Sequence, residues 1–280
     1  MEDLLAGTKR LLELLGHGEE PLGIHYADEK PEGGFGPKPG VRFSREAEEA
    51  GTLDWQRAFA EFSCVMGNIW LARKKKKAAY ISFAECGCMG GGFYAGMYRP
   101  YLETNIAYVS TGYPGTPMEG EHYLNSFDSM RAFMDDCDPR PAPKPYGVAK
   151  YLSLFTGAEE PEIIVFFARG EVLTGLSSLC CYASGSHLAV MSPFGAGCTN
   201  IYTWPLTYLG RGEEKAVLGG LDPSARKFMK TDELTFAVPL SLYRKMLDCM
   251  ETSALTRRTW QGVRKKAVKS RAAWGEGADE

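Results

Sequence analysis

The segment AAYISFAECGCMGGG at residues 78–92 decides how this sequence folds, because a short apolar strand leads directly into a turn of glycines and cysteines. A second segment, HLAVMSPFGAGC at residues 187–198, has the same order of strand and glycine-cysteine turn. Glycine lets a backbone turn sharply and pass close to a bulky group, so a cysteine in such a turn can face a cleft. Two such turns indicate one shared site.

The order of strand, helix, strand, glycine-cysteine turn and helix occurs twice along the chain. The predicted elements are helix 2–16, strand 21–26, helix 54–73, strand 78–83, helix 92–101, strand 162–167, helix 171–182, strand 187–191, helix 199–209, strands 215–219 and 234–238, and helix 239–250. This order predicts an α/β protein of two similar halves, related by a pseudo-twofold axis, with a cleft between them.

The domain boundaries follow from this repeat. We assign residues 1–145 to a first α/β half that contains a polar insertion before residue 145, and residues 146–255 to a second α/β half. Residues 256–280 are rich in arginine and lysine, and we predict a basic C-terminal helix or tail there. The Gly- and Pro-rich stretch 28–52 is predicted to be a surface loop.

Composition limits the classes of partner. The 280 residues are 44% hydrophobic and carry a formal net charge of -3, which gives no electrostatic reason to bind nucleic acid. A small-molecule ligand is therefore the expected partner. No apolar run approaches the roughly 20 residues that span a bilayer, and the first residues lack the basic start of a secretory signal. We expect a cytoplasmic protein without a membrane partner; the sequence sets no oligomeric state.

Four cysteines occupy corresponding positions in the two predicted halves. Cys64 lies on a predicted helix and Cys88 in the first turn, whereas Cys181 ends a predicted helix and Cys198 lies in the second turn. A pseudo-twofold axis would bring them together as the four-thiolate shell that an iron-sulfur cluster requires, with zinc as the less favoured occupant. Either Cys180 or Cys86 is an alternative fourth ligand, and packing of the thiols in the core also remains open because no C-x-x-C motif is present.

The glycines of the two turns are expected to line the same cofactor site. They are Gly90, Gly91, Gly195 and Gly197.

Two other functions remain open. In the first, the protein is a cysteine-dependent enzyme in which Cys198 or Cys88 attacks a small carbonyl or disulfide substrate, with His187 as the base. In the second, it is a non-catalytic small-molecule binding module whose thiols only pack. The residues alone do not decide whether the protein is an enzyme.

Four short motifs carry a resemblance to a known family. They are Glu61-Phe62-Ser63-Cys64, Cys88-Met89-Gly90-Gly91, Phe194-Gly195-Ala196-Gly197-Cys198 and Asp232-Glu233-Leu234-Thr235-Phe236-Ala237-Val238-Pro239. Over most of its length the chain resembles the domain-of-unknown-function 169 family of bacteria and archaea, common in anaerobes. Met89 stands where the family usually has proline. The family has no settled activity, but the resemblance implies that both turns matter, supports a shared thiolate site, and points to redox or anaerobic metabolism.

Overall fold

The structure, a computed structural model, describes residues 1–37, 41–116 and 118–274. Seven strands, β1 to β7, lie at Leu22–Ala27, Ala79–Ser82, Tyr146–Tyr151, Ile163–Arg169, Val190–Met191, Ala216–Gly219 and Glu233–Pro239. The α-helices of the described residues, α1 to α12, lie at Glu2–Leu15, Arg45–Glu49, Trp55–Ala60, Val65–Lys75, Met89–Tyr94, Glu103–Val109, Phe127–Cys137, Gly170–Ser184, Trp204–Gly210, Pro223–Arg226, Leu240–Cys249 and Arg258–Ala273. A π-helix at Thr199–Thr203 precedes α9, and three 3₁₀ turns lie at Leu152–Leu154, Met250–Thr252 and Ala254–Thr256. The chain thus has a mixed α/β fold, as predicted.

All seven strands join one mixed sheet in the order β2-β3-β1-β4-β7-β6-β5. Neighbouring strands are antiparallel except β5 and β6, which are parallel. The strands that lead into the two glycine-cysteine turns, β2 and β5, are therefore the two opposite edges of the sheet. The turns must reach toward each other across one face of the sheet to form a common site.

The sheet separates two hydrophobic cores. Along β4, Ile163, Val165 and Phe167 face the core that contains α4 and α5, whereas Ile164 and Phe166 face the core of α1, α8 and α11. This alternation follows from the strand geometry, in which successive side chains point to opposite faces. The molecule accordingly has three layers, with helices on both faces of the sheet.

The predicted pseudo-twofold arrangement is not confirmed. Strand β3, from the predicted second half, lies between β1 and β2 of the predicted first half. At one end of the sheet β2 is antiparallel to β3, while at the other end β5 is parallel to β6. The sequence pattern did not predict β3, and without it the strands on the two sides of residue 145 looked like separate sets.

The segment before residue 145 is not a polar insertion. It contributes α6 and α7, whose buried side chains Ile106, Met130 and Met134 belong to the same core as α4 and α5. The apolar positions on these helices are few and are separated by polar residues. The overall polarity of the segment therefore did not predict these helices. Short helix α2 likewise lies inside the stretch 28–52, of which residues 38–40 are outside the described part of the chain.

The helix predicted from residue 54 to residue 73 is two helices. Helix α3 ends at Ala60 and α4 begins at Val65, so Cys64 is the residue immediately before α4 and not a residue inside a helix. The backbone N–H of Ser63 bonds the carbonyl of Gly87, 2.9 Å away, which ties the break to the first glycine turn. The break therefore brings Cys64 beside that turn.

The basic C-terminal segment contains α12. Trp260 is buried and its indole N–H donates to the carbonyl of Leu14 at 3.0 Å, which fixes α12 against the end of α1. Residues 275–280 lie outside the described part of the chain. None of the helices in the described ranges combines the length and apolar character needed to cross a membrane.

Arg73 anchors the far end of α4 in a buried ion network. Its guanidinium makes two bonds to the Glu19 carboxylate (2.7 and 2.8 Å) and two to the Glu233 carboxylate (2.9 and 2.8 Å). The Arg73 guanidinium also lies 3.8 Å from the centre of the Phe167 ring. The Arg73 and Glu233 side chains are only 9% and 3% exposed. These contacts join α4 to β7 and to the segment before β1, and so fix the helix that Cys64 precedes.

Candidate functional site

Three cysteines line one cavity on the α4 and α5 side of the sheet. They are Cys64, Cys88 and Cys198, and each comes from a different segment of the chain. The cavity has a volume of about 710 Å³. All four glycines predicted to line a cofactor site, Gly90, Gly91, Gly195 and Gly197, also lie in its wall. The structure therefore brings the two glycine-cysteine turns together, together with the cysteine before α4.

Each of the three cysteines is the residue immediately before a helix. Cys64 precedes α4, Cys88 precedes α5, and Cys198 precedes the π-helix. The sulfur of Cys88 accepts a hydrogen bond from the backbone N–H of Gly91 at 3.3 Å. An N–H group directed at sulfur favours the thiolate over the thiol.

Direct hydrogen bonds hold the two turns in place. The hydroxyl of Thr203, in the π-helix after the second turn, donates to the carbonyl of Tyr94 in α5 at 2.7 Å. Within the second turn, the backbone N–H of Gly197 donates to a carboxylate oxygen of Asp222 at 3.1 Å. Asp222 also accepts from the backbone N–H of Ser224 and so begins α10. The cysteine positions thus depend on contacts between segments far apart in the sequence.

The turn glycines allow both turns to pack closely against the start of α4. A Cβ atom on Gly91 would lie 2.6 Å from Cγ2 of Val65, and one on Gly197 would lie 3.1 Å from Cγ of Met66. Both of these α4 residues directly follow Cys64. The absence of a side chain at Gly91 and Gly197 therefore brings Cys88 and Cys198 close to Cys64. This packing role of Gly91 and Gly197 is separate from the predicted role of lining a cofactor site, which stays a prediction.

Replacing Gly91 by alanine should destabilise the protein by about 1–3 kcal/mol, the usual cost of inserting a methyl group into a packed core. Val65 is β-branched and has little rotamer freedom, so α5 must move away from α4. Urea unfolding of the two proteins measures the difference. Gly90→Ala is the matched control, because its added Cβ would lie no closer than 3.4 Å to any neighbouring atom. Equal stability of the two variants would contradict the packing role of Gly91.

Cys181 does not line this cavity. It lies on α8 and packs against the core on the opposite face of the sheet, so the sheet stands between it and the other three cysteines. Cys180, the neighbouring alternative, is buried on the same side, and its thiol donates to the carbonyl of Ala189. Because the pseudo-twofold arrangement is not confirmed, the reason for placing α8 next to the two turns no longer applies.

The remaining cysteines are also outside the cavity wall. The thiol of Cys86 donates to the carbonyl of Cys88 at 3.0 Å, and burial raises its pKa to about 12. Cys137 and Cys249 end α7 and α11, and their thiols donate to the carbonyls of Met134 and Met246. Within the described ranges, the cavity therefore has three thiols in its wall.

Burial raises the pKa of the Cys64, Cys88 and Cys198 thiols above the ordinary value. For Cys88 and Cys198, the charges of the other cavity thiols raise the pKa further. His187, the predicted base, is exposed in the turn before β5 and does not line the cavity. Burial outweighs the Lys227 ammonium group in the same wall, which by itself lowers the pKa of Cys64, so these thiols are protonated at neutral pH.

The cavity also contains acidic and amide side chains that the sequence analysis did not select. Burial, with a smaller contribution from the nearby Asp222 carboxylate, raises the pKa of Glu121 to about 7. Asn105 on α6 and Asn200 in the π-helix line the wall as well. Glu121 and Asn105 lie in the segment that was interpreted as an insertion, and no local motif marks either residue.

A larger groove of about 1430 Å³ lies elsewhere, with α1, α8 and α12 contributing to its wall. Several of its charged side chains pair with each other, as in the ion pairs Arg10–Glu251 and Arg271–Glu171. No cysteine lines it. Paired surface charges are typical of a solvated seam between helices, so the thiol-lined cavity is the better candidate for chemistry.

The positions of the His, Cys, Asp and Glu side chains determine whether a metal ion could bind. Within residues 1–37, 41–116 and 118–274, no group of three or more His, Cys, Asp or Glu side chains is placed to hold a metal ion. A single ion draws its ligands to about 2.0–2.3 Å, and the three cavity thiols are not placed in that way. An iron-sulfur core contains several metal and sulfide atoms, and its cysteines stand farther apart around it.

Comparison with known proteins gives one match. The family model of the domain-of-unknown-function 169 family, described as uncharacterised ArCR, matches residues 10–248. Comparisons with curated proteins and with solved structures found no match. The matched range includes both glycine-cysteine turns and all three cavity cysteines, and it covers most of the 280 residues. The chain belongs to the domain-of-unknown-function 169 family.

Proposed function

We propose that the cavity binds an iron-sulfur cluster through Cys64, Cys88 and Cys198, for redox or anaerobic metabolism. The observation that carries the proposal is that these three thiols, from three separate segments, line one cavity. Soft thiolate ligands are the ones that iron-sulfur clusters use in proteins. When bound, such a cluster would supply one-electron chemistry or, at an iron without a protein thiolate, a position for substrate.

The electrostatics of the three cysteines support a cationic occupant. Their pKa values are raised by burial and, for Cys88 and Cys198, by the other cavity thiols, so three adjacent thiolates would repel one another. A bound metal reverses this, because it lowers the pKa of its ligands and neutralises their charge. The N–H of Gly91, directed at the sulfur of Cys88, would stabilise the resulting thiolate.

A set of three thiolates also fits a reactive cluster better than a purely structural one. Structural metal sites are closed by protein ligands, whereas catalytic sites keep a position open for water or substrate. Here the cavity adds space beside the thiols, and Glu121 provides a carboxyl group that can exchange a proton near neutral pH. A cytoplasmic setting and a small-molecule partner, with no role for nucleic acid or membrane, belong to this proposal.

The cysteine-dependent enzyme is the second candidate and has weaker support. Its nucleophile would need a lowered pKa or a neighbouring base. Burial acts in the opposite direction on all three thiols, and none of the described histidines lines the cavity.

Anaerobic purification with an absorption spectrum distinguishes the candidates. We expect brown protein with broad charge-transfer absorption in the visible range. Colourless protein with one rapidly alkylated thiol would favour the cysteine-dependent enzyme, and colourless protein with three inert thiols would favour a binding module. Zinc in stoichiometric amount, without iron, would contradict the proposal.

In metal-free protein, the three cavity thiols should react with iodoacetamide more slowly than free cysteine at pH 8, since a raised pKa lowers the fraction of reactive thiolate. Their folded pKa values are raised, so the rate should still increase as the pH passes 9. Mass spectrometry of peptides after timed alkylation measures each cysteine, and urea-unfolded protein is the control. A rate that reaches its plateau below pH 7 would identify an activated nucleophile instead.

A further inference from the structure

The wall of the thiol-lined cavity is largely aromatic and aliphatic. Phe43, Trp55 and Met66 lie in the wall, and the large apolar side chains of Phe62 and Leu221 there are 55% and 61% exposed. Apolar side chains that stay exposed around a concave site are typical of a ligand entrance. The wall therefore favours a ligand with an apolar body.

One buried polar group in this wall has no partner. Asn105 is 1% exposed, and its side-chain amide nitrogen has no hydrogen-bond partner among the described residues. By contrast, the amide nitrogen of Asn200, in the same wall, donates to the carbonyl of Pro193 at 3.2 Å. A buried N–H group without a partner costs free energy, which a ligand that accepts its hydrogen bond would recover.

The other charged groups of the cavity limit what the acceptor can be. The carboxyl groups of Glu121 and Asp222 and the ammonium group of Lys227 lie in the wall. The Asp222 carboxylate offsets the Lys227 ammonium group, and Glu121 adds negative charge whenever it is ionised, so the cavity has no surplus of positive charge and a carboxylate or phosphate is a poor partner for Asn105. An uncharged oxygen acceptor remains, and a carbonyl group is the chemical form that suits an apolar body.

We propose that this cavity binds an uncharged, apolar carbonyl compound whose oxygen accepts a hydrogen bond from the side-chain amide of Asn105. The inference goes beyond the proposed cluster by naming the class of ligand. The inference is argued from the side chains of the cavity wall. Its one connection with the proposed cluster is that both would occupy the cavity that the three cysteines line.

Acetophenone and its oxygen-free analogue α-methylstyrene test the hydrogen bond, because they differ in shape only by a carbonyl oxygen against a methylene group. Equilibrium dialysis gives their affinities for the wild-type protein, for Asn105→Leu and for Asn105→Ala. We expect the ratio of the affinity for acetophenone to the affinity for α-methylstyrene to be about fivefold higher in the wild type than in either variant, the effect of one net hydrogen bond. In the variants the carbonyl oxygen loses its water partners and gains no amide donor, so the ratio shifts toward α-methylstyrene. Asn105→Ala keeps the test available if leucine prevents folding.

Two outcomes would overturn the inference: binding of neither probe by the wild type, or a wild-type preference for acetophenone, relative to α-methylstyrene, that is no greater than that of a folded Asn105 variant. Iron content is measured in the same samples and should be unchanged in both variants. Iron-free protein that still shows the Asn105-dependent preference would contradict the cluster and leave this inference standing. Iron-loaded protein without the preference would support the cluster and contradict this inference.

Discussion

Replacing Cys64, Cys88 or Cys198 singly by alanine should each remove most of the bound iron and sulfide. A cluster that already has only three protein thiolates becomes labile when one is lost. In the proposed site the three residues act as one unit, so the three single variants should give similar losses. Visible absorption and iron content of each variant, purified without oxygen, measure the effect.

The matched controls are Cys181→Ala and Cys86→Ala, which should keep the cluster. Cys181 lies beyond the sheet, and the Cys86 thiol donates to the carbonyl of Cys88 without lining the cavity. Loss of the cluster in Cys86→Ala with no effect in Cys64→Ala would assign the site to the first turn alone. Loss in Cys181→Ala would contradict the separation of the two cores.

Replacing Arg73 by methionine should lower stability by about 3–5 kcal/mol, because it leaves the buried carboxylate of Glu233 and the half-buried carboxylate of Glu19 without their cation. The substitution also removes the cation–π contact between the Arg73 guanidinium and the Phe167 ring, so the loss reports the ion network together with that contact. Chemical unfolding of both proteins at pH 7 measures it. A loss of less than about 1 kcal/mol would show that the network contributes no more than a surface pair does.

Arg10→Met is the control, since Arg10 pairs with Glu251 at the surface with its side chain 45% exposed. We expect no clear change in its unfolding midpoint.

The network also predicts a dependence on pH. Although burial opposes it, Arg73 holds the pKa of Glu19 below the usual 4.5. A carboxyl group whose pKa is lower in the folded state than in the unfolded state stabilises the folded protein at pH values above its unfolded pKa. That stabilisation is lost as the pH falls through the folded pKa. The wild type should therefore lose more stability than Arg73→Met below about pH 4.5.

The turns themselves were predictable from the sequence. Glycine, cysteine and a preceding apolar strand are local signals, and together with the helix periodicity they select Cys64, Cys88 and Cys198. What the sequence did not reveal was the route by which the turns meet. It depends on β3, which inserts between β1 and β2, and on the break between α3 and α4, which is stabilised by a bond from Ser63 to Gly87 in a distant turn.

The places of Cys181 and Asn105 in the structure could not be predicted from the sequence, for different reasons. Cys181 resembled Cys64 in its position relative to a strand and a turn, but the sheet order places its helix on the other face. Asn105 has no motif around it, and its unpartnered amide becomes evident only when α6 packs beside the first turn. Long-range packing decides both, and single-sequence patterns do not encode it.

Iron and acid-labile sulfide per chain, in protein reconstituted without oxygen, test the central claim most directly when the wild type is compared with a variant that carries Cys64→Ala, Cys88→Ala and Cys198→Ala together. Five cysteines remain in that variant, so nonspecific binding by free thiols is controlled. The account predicts iron and sulfide in equal amounts in the wild type and neither in the triple variant. Equal iron in both proteins, or a wild type that holds no iron, would contradict it.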